Sequence, residues 1–159
     1  MVIKVGDPIP NETLTVMTDD GPAPLTTSDL FSGKRVLLFA VPGAFTPTCS
    51  ARHLPGYIDL RDDFEAAGVD TVACVSVNDV YVMNAWGKSA EAGSILMLAD
   101  GNADFARALG LDVDASAFNM GVRSHRYALL ADDGVVSHLF VESPGAFEVS
   151  SAEHVLAHL

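Results

Sequence analysis

Two continuous apolar runs constrain this chain more than any other feature in it. Residues 35–41 read RVLLFAV and residues 69–77 read VDTVACVSV. Short runs of this kind, without strict polar alternation, suit central strands covered on both faces. Between them lie helix signals. Thr46 is a good N-cap, and Pro47 suits the first helical position. Gly68 is well placed as a C-terminal cap, so a helix is predicted over residues 46–67, kinked at Pro55. Two strands joined by a crossover helix lie parallel in one sheet.

The remaining segments extend this pattern. Residues 11–18 (NETLTVMT) alternate polar and apolar and read as a strand, and residues 26–31 as a short capped helical turn. A helix over 79–91 contains Trp86, and a strand over 94–98 and a short helix over 102–109 follow. Strands over 123–131 and 135–141 are joined by the turn Asp132-Asp133-Gly134 into a hairpin. A helix over 150–159 closes the chain. The expected class is α/β: a thioredoxin-like fold, with a mixed central sheet and helices on both faces. The 159 residues are 49% hydrophobic and 19% charged, with no repeat, low-complexity tract or linker, so one domain over 1–159 is expected.

The formal net charge of -12 argues against nucleic acid and against an anionic membrane surface, because both call for clustered Lys and Arg. Solubility alone accounts for such acidity. No stretch approaches the length of a membrane span. Residues 1–10 carry one Lys and no apolar run, which is not the pattern of a signal peptide. The two cysteines, Cys49 and Cys74, are too few for a disulfide-stapled secreted domain or for a cysteine-based zinc site without histidine help. A reducing, cytoplasmic setting is expected. With no Gly-rich phosphate loop and no sufficient ligand cluster, neither a metal nor an organic cofactor is expected.

Cys49 carries the chemistry. With Thr46 as N-cap, it is the third residue of the helix, where backbone N–H groups lack partners and the macrodipole favours negative charge. A thiolate is the form of cysteine that attacks electrophiles. The Thr46 hydroxyl can accept from the Cys49 N–H as a cap and still donate to the sulfur or to a substrate oxygen; a cap alone is the plainer alternative. In the preceding loop, Pro42 would wall the site and Gly43 would let the backbone approach closely. Without the cysteine, the same loop is an ordinary strand-to-helix turn.

Pro42-Gly43-Ala44-Phe45-Thr46-Pro47-Thr48-Cys49 resembles the active-site loop of the type 5 peroxiredoxins, called type II in plants. Three further blocks match in order: His53-Leu54-Pro55-Gly56-Tyr57, Cys74-Val75-Ser76-Val77-Asn78-Asp79, and Gly121-Val122-Arg123-Ser124-His125-Arg126-Tyr127. The resemblance covers nearly the whole chain. It implies a thiol peroxidase acting on hydrogen peroxide and organic hydroperoxides, in which the thiolate of Cys49 attacks the O–O bond and becomes a sulfenic acid. Thr46 and Arg126 map to the residues that complete the site, and the N–H groups of Thr48 and Cys49 would hold a peroxide oxygen. It also implies a homodimer, to whose surface Phe45, Trp86, Phe118 and Met120 could contribute, core packing being the alternative. Arg126 precedes Tyr127, Ala128, Leu129 and Leu130, so a guanidinium entering such surroundings needs an anion, unless its head stays in solvent.

Other readings are weaker. His53 lies four residues after Cys49, which suggests a Cys–His hydrolase pair, but no third orienting residue is evident; a structural histidine bonded to backbone near Pro55 fits better. His154 and His158 read as surface helix residues, since two ligands do not make a metal site. A dithiol carrier needs C-x-x-C, whereas Thr46 and Arg52 flank Cys49 at that spacing. A redox-sensing module oxidised at Cys49 without sustained turnover is the non-enzymatic alternative. Many members of the resembling family carry a resolving cysteine after the late hairpin; residues 142–151 (ESPGAFEVSS) contain none. Cys74, within an apolar strand, is the sole internal secondary thiol, and an external thiol (glutathione with glutaredoxin, or thioredoxin) is the expected reductant. Cys49→Ser should therefore abolish oxidation by hydrogen peroxide in single-turnover assays, whereas Cys74→Ser should retain it.

Overall fold

Alternation along the apolar runs sorts their side chains onto opposite faces of one sheet. In the computed structural model, which describes residues 2–159, β3 (Arg35–Val41) pairs in parallel with β4 (Thr71–Ser76), Val36 facing Thr71 and Val41 facing Ser76. Leu37, Phe39 and Val41 enter one core layer; Val36, Leu38 and Ala40 enter the other. β5 (Leu96–Ala99) pairs in parallel with β4, while β8 (Tyr127–Asp132) and β9 (Val135–Val141) run antiparallel beyond β3. With β1 (Thr13–Thr18) and β2 (Gly21–Thr26), the main sheet has seven strands in the order β2-β1-β5-β4-β3-β8-β9. This is the expected mixed sheet of a thioredoxin-like fold.

One layer packs α2 (Leu54–Asp59), α3 (Arg61–Ala66), α4 (Val80–Ser89) and α6 (Ala152–Ala157) on the sheet through Leu54, Tyr57, Phe64, Met83, Trp86 and Val155. The other takes α1 (Thr27–Phe31) and α5 (Asp104–Leu109) through Phe31, Phe105 and Leu109. Trp86 is thus a core residue, not part of an exposed surface, and its indole N–H donates to the Ser50 hydroxyl at 3.1 Å.

Three expectations need correction. β2 went unpredicted because Pro22 and Pro24 interrupt it; it survives as an outermost strand, where a missing N–H costs no ladder bond. The helix predicted over 46–67 is divided. Residues Cys49–His53 form a π-helical turn, in which the Leu54 N–H reaches back to the Cys49 carbonyl, and a second break falls at Leu60 between α2 and α3. Pro55 is the physical cause of the first: its ring would crowd the carbonyl four residues earlier, and the turn ahead of it opens. Gly68, at φ +92, does end α3, with the Val69 N–H bonded to the Phe64 carbonyl. Finally, the strand predicted over 123–131 is two strands. β7 (Val122–Ser124) pairs with β6 (Asp112–Asp114) in a separate small sheet, and the chain crosses at His125 and Arg126 to β8.

A single imidazole lies inside the layer that holds Cys49. His53 is wholly buried, edge to face with Phe147 at 5.0 Å and tilted against Phe39 at 5.0 Å. Burial first, and the neighbouring Arg126 guanidinium second, push its pKa from 6.5 down to about 3. The unfolded ring takes up a proton below 6.5 and the folded ring does not until about 3, so stability falls as pH falls through that window. From about pH 7 to about pH 5 the protein should lose about 2 kcal/mol more than a His53→Gln variant, measured by urea unfolding. Parallel losses in the two proteins would mean that the ring is charged in the fold.

Candidate active site

The site forms where the π-helical turn meets the crossing between β7 and β8. Cys49 opens that turn and is wholly buried. The Ser50 N–H bonds the Thr46 carbonyl at 2.9 Å, so the N–H groups of Thr48 and Cys49 belong to the unpaired first turn. The Arg126 Nη2 donates to Cys49 Sγ at 3.1 Å and its Nη1 donates to His53 Nδ1 at 2.8 Å. Arg126 is therefore turned inward, onto the sulfur, from the irregular crossing between two strands rather than from within one.

The tautomer of His53 follows from its partners. A guanidinium only donates, so Nδ1 is unprotonated; Nε2, at 3.1 Å from the Ser150 carbonyl, carries the hydrogen and donates it. The same carbonyl accepts from the Tyr57 hydroxyl at 2.7 Å. His53 is bonded to backbone, as expected, but to a segment 97 residues along the chain and not near Pro55. A hydrolase pair with Cys49 is not formed; both residues face Arg126 instead. Phe147 closes this side, with the guanidinium carbons of Arg52 and Arg126 at 4.7 and 5.7 Å from its ring centroid.

Thr46 is not the side-chain cap anticipated. Its hydroxyl donates to the Gly43 carbonyl at 2.7 Å, which occupies its proton and leaves its oxygen free to accept. Gly43 is buried, and a Cβ there would lie 3.1 Å from Thr46 Cγ2 and 3.2 Å from Arg123 Nη1, so close approach, not φ, favours glycine. Asn78 fastens the loop from below, its Oδ1 accepting from the Ala44 N–H at 2.9 Å and from the Ser76 hydroxyl at 2.6 Å. Pro42 and Thr48 line a cavity of about 310 Å³ with Phe118, Met120, Arg126 and Pro144.

Cys74 is wholly buried in the middle of β4, paired across to Phe39 and Met97, and burial pushes its thiol well above the ordinary range. Both cysteines are free. His154 and His158 stack on each other at 4.3 Å, and each meets the Phe140 ring edge to face. Sequence reasoning missed the partners beyond the first contacts: Tyr57, Phe147, Ser150 and Glu142, whose carboxylate binds the Ser150 hydroxyl at 2.6 Å. The block containing His53 and Tyr57 was recognisable, but its long-range partners have no local signal.

Comparison with known proteins accords with this geometry. The redoxin family model matches residues 4–156. The chain is 51% identical to peroxiredoxin-2E-2, chloroplastic, of Oryza sativa subsp. japonica over 99% of its own length and 72% of that protein. It is 45% identical to peroxiredoxin-2B of Arabidopsis thaliana, over 99% of this chain and 98% of the relative. The crystal structure of reduced Prx3 from Vibrio vulnificus in complex with hydrogen peroxide matches with a TM-score of 0.96 at 55% identity, covering 99% of each chain. The chain belongs to the peroxiredoxins of the type 5 (plant type II) kind and is a thiol-dependent peroxidase.

Proposed function

We propose that Cys49 is the thiol that peroxide oxidises and that Arg126 is its principal partner in the transition state. The observation that carries this reading is the 3.1 Å contact between Arg126 Nη2 and a wholly buried Cys49 Sγ at the first turn of a helix. The thiolate attacks one peroxide oxygen; the S–O bond forms as the O–O bond breaks. The departing oxygen takes a proton and leaves as water or an alcohol, and Cys49 is left as a sulfenic acid. Arg126 and the first-turn N–H groups of Thr48 and Cys49 offer donors to the charge that builds on the oxygens. The Thr46 oxygen, with its own proton committed to Gly43, accepts the hydrogen of the incoming peroxide. Pro42 and Gly43 shape the wall of this opening.

Hydrogen peroxide and organic hydroperoxides are both substrates in this reading. The neighbouring cavity, walled by Pro42, Phe118, Met120 and Pro144, has room for an alkyl group. A related protein of 55% identity has been crystallised with hydrogen peroxide. The enzyme works as a homodimer, paired through the rim of the site where Phe45 and Phe118 are 53% and 78% exposed. Its setting is a reducing one such as the cytoplasm, since turnover draws on an external thiol.

That thiol is glutathione with glutaredoxin, or thioredoxin. It attacks the sulfenic sulfur, water leaves, and a second thiol reduces the mixed disulfide. The buried Cys74, with its raised pKa, is a poor resolving thiol. Arg126→Ala should slow oxidation by about 10²–10³-fold in stopped-flow assays, and Arg126→Lys should restore little of it. After one equivalent of peroxide with glutathione, mass spectrometry should find the adduct on Cys49, and turnover should survive Cys74→Ser. Quantitative Cys49–Cys74 disulfide, with turnover lost in Cys74→Ser, would reverse the assignment of reductant.

A further inference from the structure

We infer that Glu142 is a positioning residue for peroxide reduction, acting through the Ser150 carbonyl and His53 to fix Arg126 over Cys49. The inference rests on the proposed role of Arg126. Glu142 follows β9, and its N–H donates to the Arg126 carbonyl at 3.0 Å. Its side chain turns inward and is 6% exposed. Among the described residues no Lys, Arg or His stands within ion-pair distance of it. Instead its Oε2 accepts from the Glu148 N–H at 2.7 Å, the Ser150 N–H at 2.9 Å and the Ser150 hydroxyl at 2.6 Å, and its Oε1 accepts from the Val149 N–H at 3.3 Å. A buried carboxylate held by four neutral donors is an expensive way to shape a loop, because an acid out of water must be fully satisfied.

The loop does not need Glu142 to start the last helix. Ser151 already caps α6, its hydroxyl accepting from the His154 N–H at 3.2 Å. What the carboxylate fixes is the peptide before that cap. With both the N–H and the hydroxyl of Ser150 held on Glu142, the Ser150 carbonyl points into the core, where it accepts from His53 Nε2 and from the Tyr57 hydroxyl. That bond orients the ring so that Nδ1 faces Arg126 Nη1, and Nη2 then reaches the sulfur. The same loop carries Phe147, which packs on both the His53 ring and the Arg126 guanidinium. Releasing the loop therefore frees Arg126 on two sides without touching Cys49.

The test is a comparison of substitutions by stopped-flow oxidation with hydrogen peroxide. Glu142→Ala should lower the second-order rate constant by about 10–100-fold, the scale expected when a reacting group is misplaced by about 1 Å. Glu142→Gln can keep its oxygen in the Oε2 place, losing only the longest of the four bonds, and should stay within about threefold of the parent protein. Alkylation of Cys49 by iodoacetamide, which does not depend on Arg126 gripping a peroxide, should change far less than peroxide oxidation. In an Arg126→Ala background, adding Glu142→Ala should cost nothing further. A parent-like rate in folded Glu142→Ala, or an undiminished loss on top of Arg126→Ala, would overturn the inference. Should Glu142→Ala fail to fold, Ser150→Ala removes the 2.6 Å bond alone; a fall in peroxide rate without a fall in alkylation supports the inference and no fall overturns it. If Arg126→Ala alone reacts at the parental rate, it is the proposed role of Arg126 that fails, whatever Glu142 does.

Discussion

The Arg126 guanidinium holds two residues of one widened helical turn at once, Cys49 Sγ through Nη2 and His53 Nδ1 through Nη1. Much of the surrounding architecture is arranged around that fork. The turn must bury both Cys49 and His53 on the sheet side, which its π geometry ahead of Pro55 does. The strand that would otherwise carry Arg126 past the site is interrupted, so that its side chain enters from an irregular crossing at the end of the sheet. Parallel pairing of β3 with β4 aligns the loop after Val41 with the end of β4, where Asn78 holds it.

The electrostatics of the cluster are consistent only with a neutral imidazole. A charged His53 beside Arg126 would place two cations in an apolar layer and set a protonated Nδ1 against the guanidinium N–H, donor against donor. Burial and the guanidinium act in the same direction, and the Ser150 carbonyl takes the single remaining hydrogen. One cation therefore faces the Cys49 sulfur, with no second cation from His53 beside it. Glu142 stays outside this pair. Burial, the largest influence on its carboxyl, raises the pKa, but bonds from the Ser150 hydroxyl and from the N–H groups of Ser150, Glu148 and Val149 outweigh it and hold the group below its usual range. The acid is thus an anchor of backbone and not a competitor for Arg126.

How much of this was legible in the sequence depends on the range of the interaction. The elements around the core were legible where their signals are local: apolar runs at 35–41 and 69–77, a β8–β9 turn at Asp133 and Gly134 with both φ positive, and a capped helical turn over 26–31. The redox loop was legible as a contiguous block. The break at His125 and Arg126 was not, because residues on both sides suit a strand and only the pairing of β7 with β6 separates them. Nor was the role of the Thr46 hydroxyl, which depends on whether the chain offers the Cys49 N–H or the Gly43 carbonyl at the right distance. Residues 142–151 hold no cysteine; their carboxylate, serine and phenylalanine carry no motif, and their importance emerges only when the hairpin returns them to the helix start.

The fork also explains why the second contact belongs to the same turn as the first. A guanidinium is planar, and its two terminal nitrogens keep a fixed separation, so one acceptor positions it along a line and two acceptors position it in a plane. Cys49 and His53 supply the two from one turn, and any drift of that turn carries both acceptors together. An ammonium group carries its three donors on one freely rotating nitrogen, so it would not hold a peroxide oxygen in a set direction. In α-helical form, the turn before Pro55 would set the proline ring against the carbonyl of residue 51. Opening it relieves that clash, and the relaxed turn is the one that presents sulfur and imidazole to the same side chain. The proline that appeared in the sequence as a helix defect is, on this reading, part of what lets one arginine grip the site.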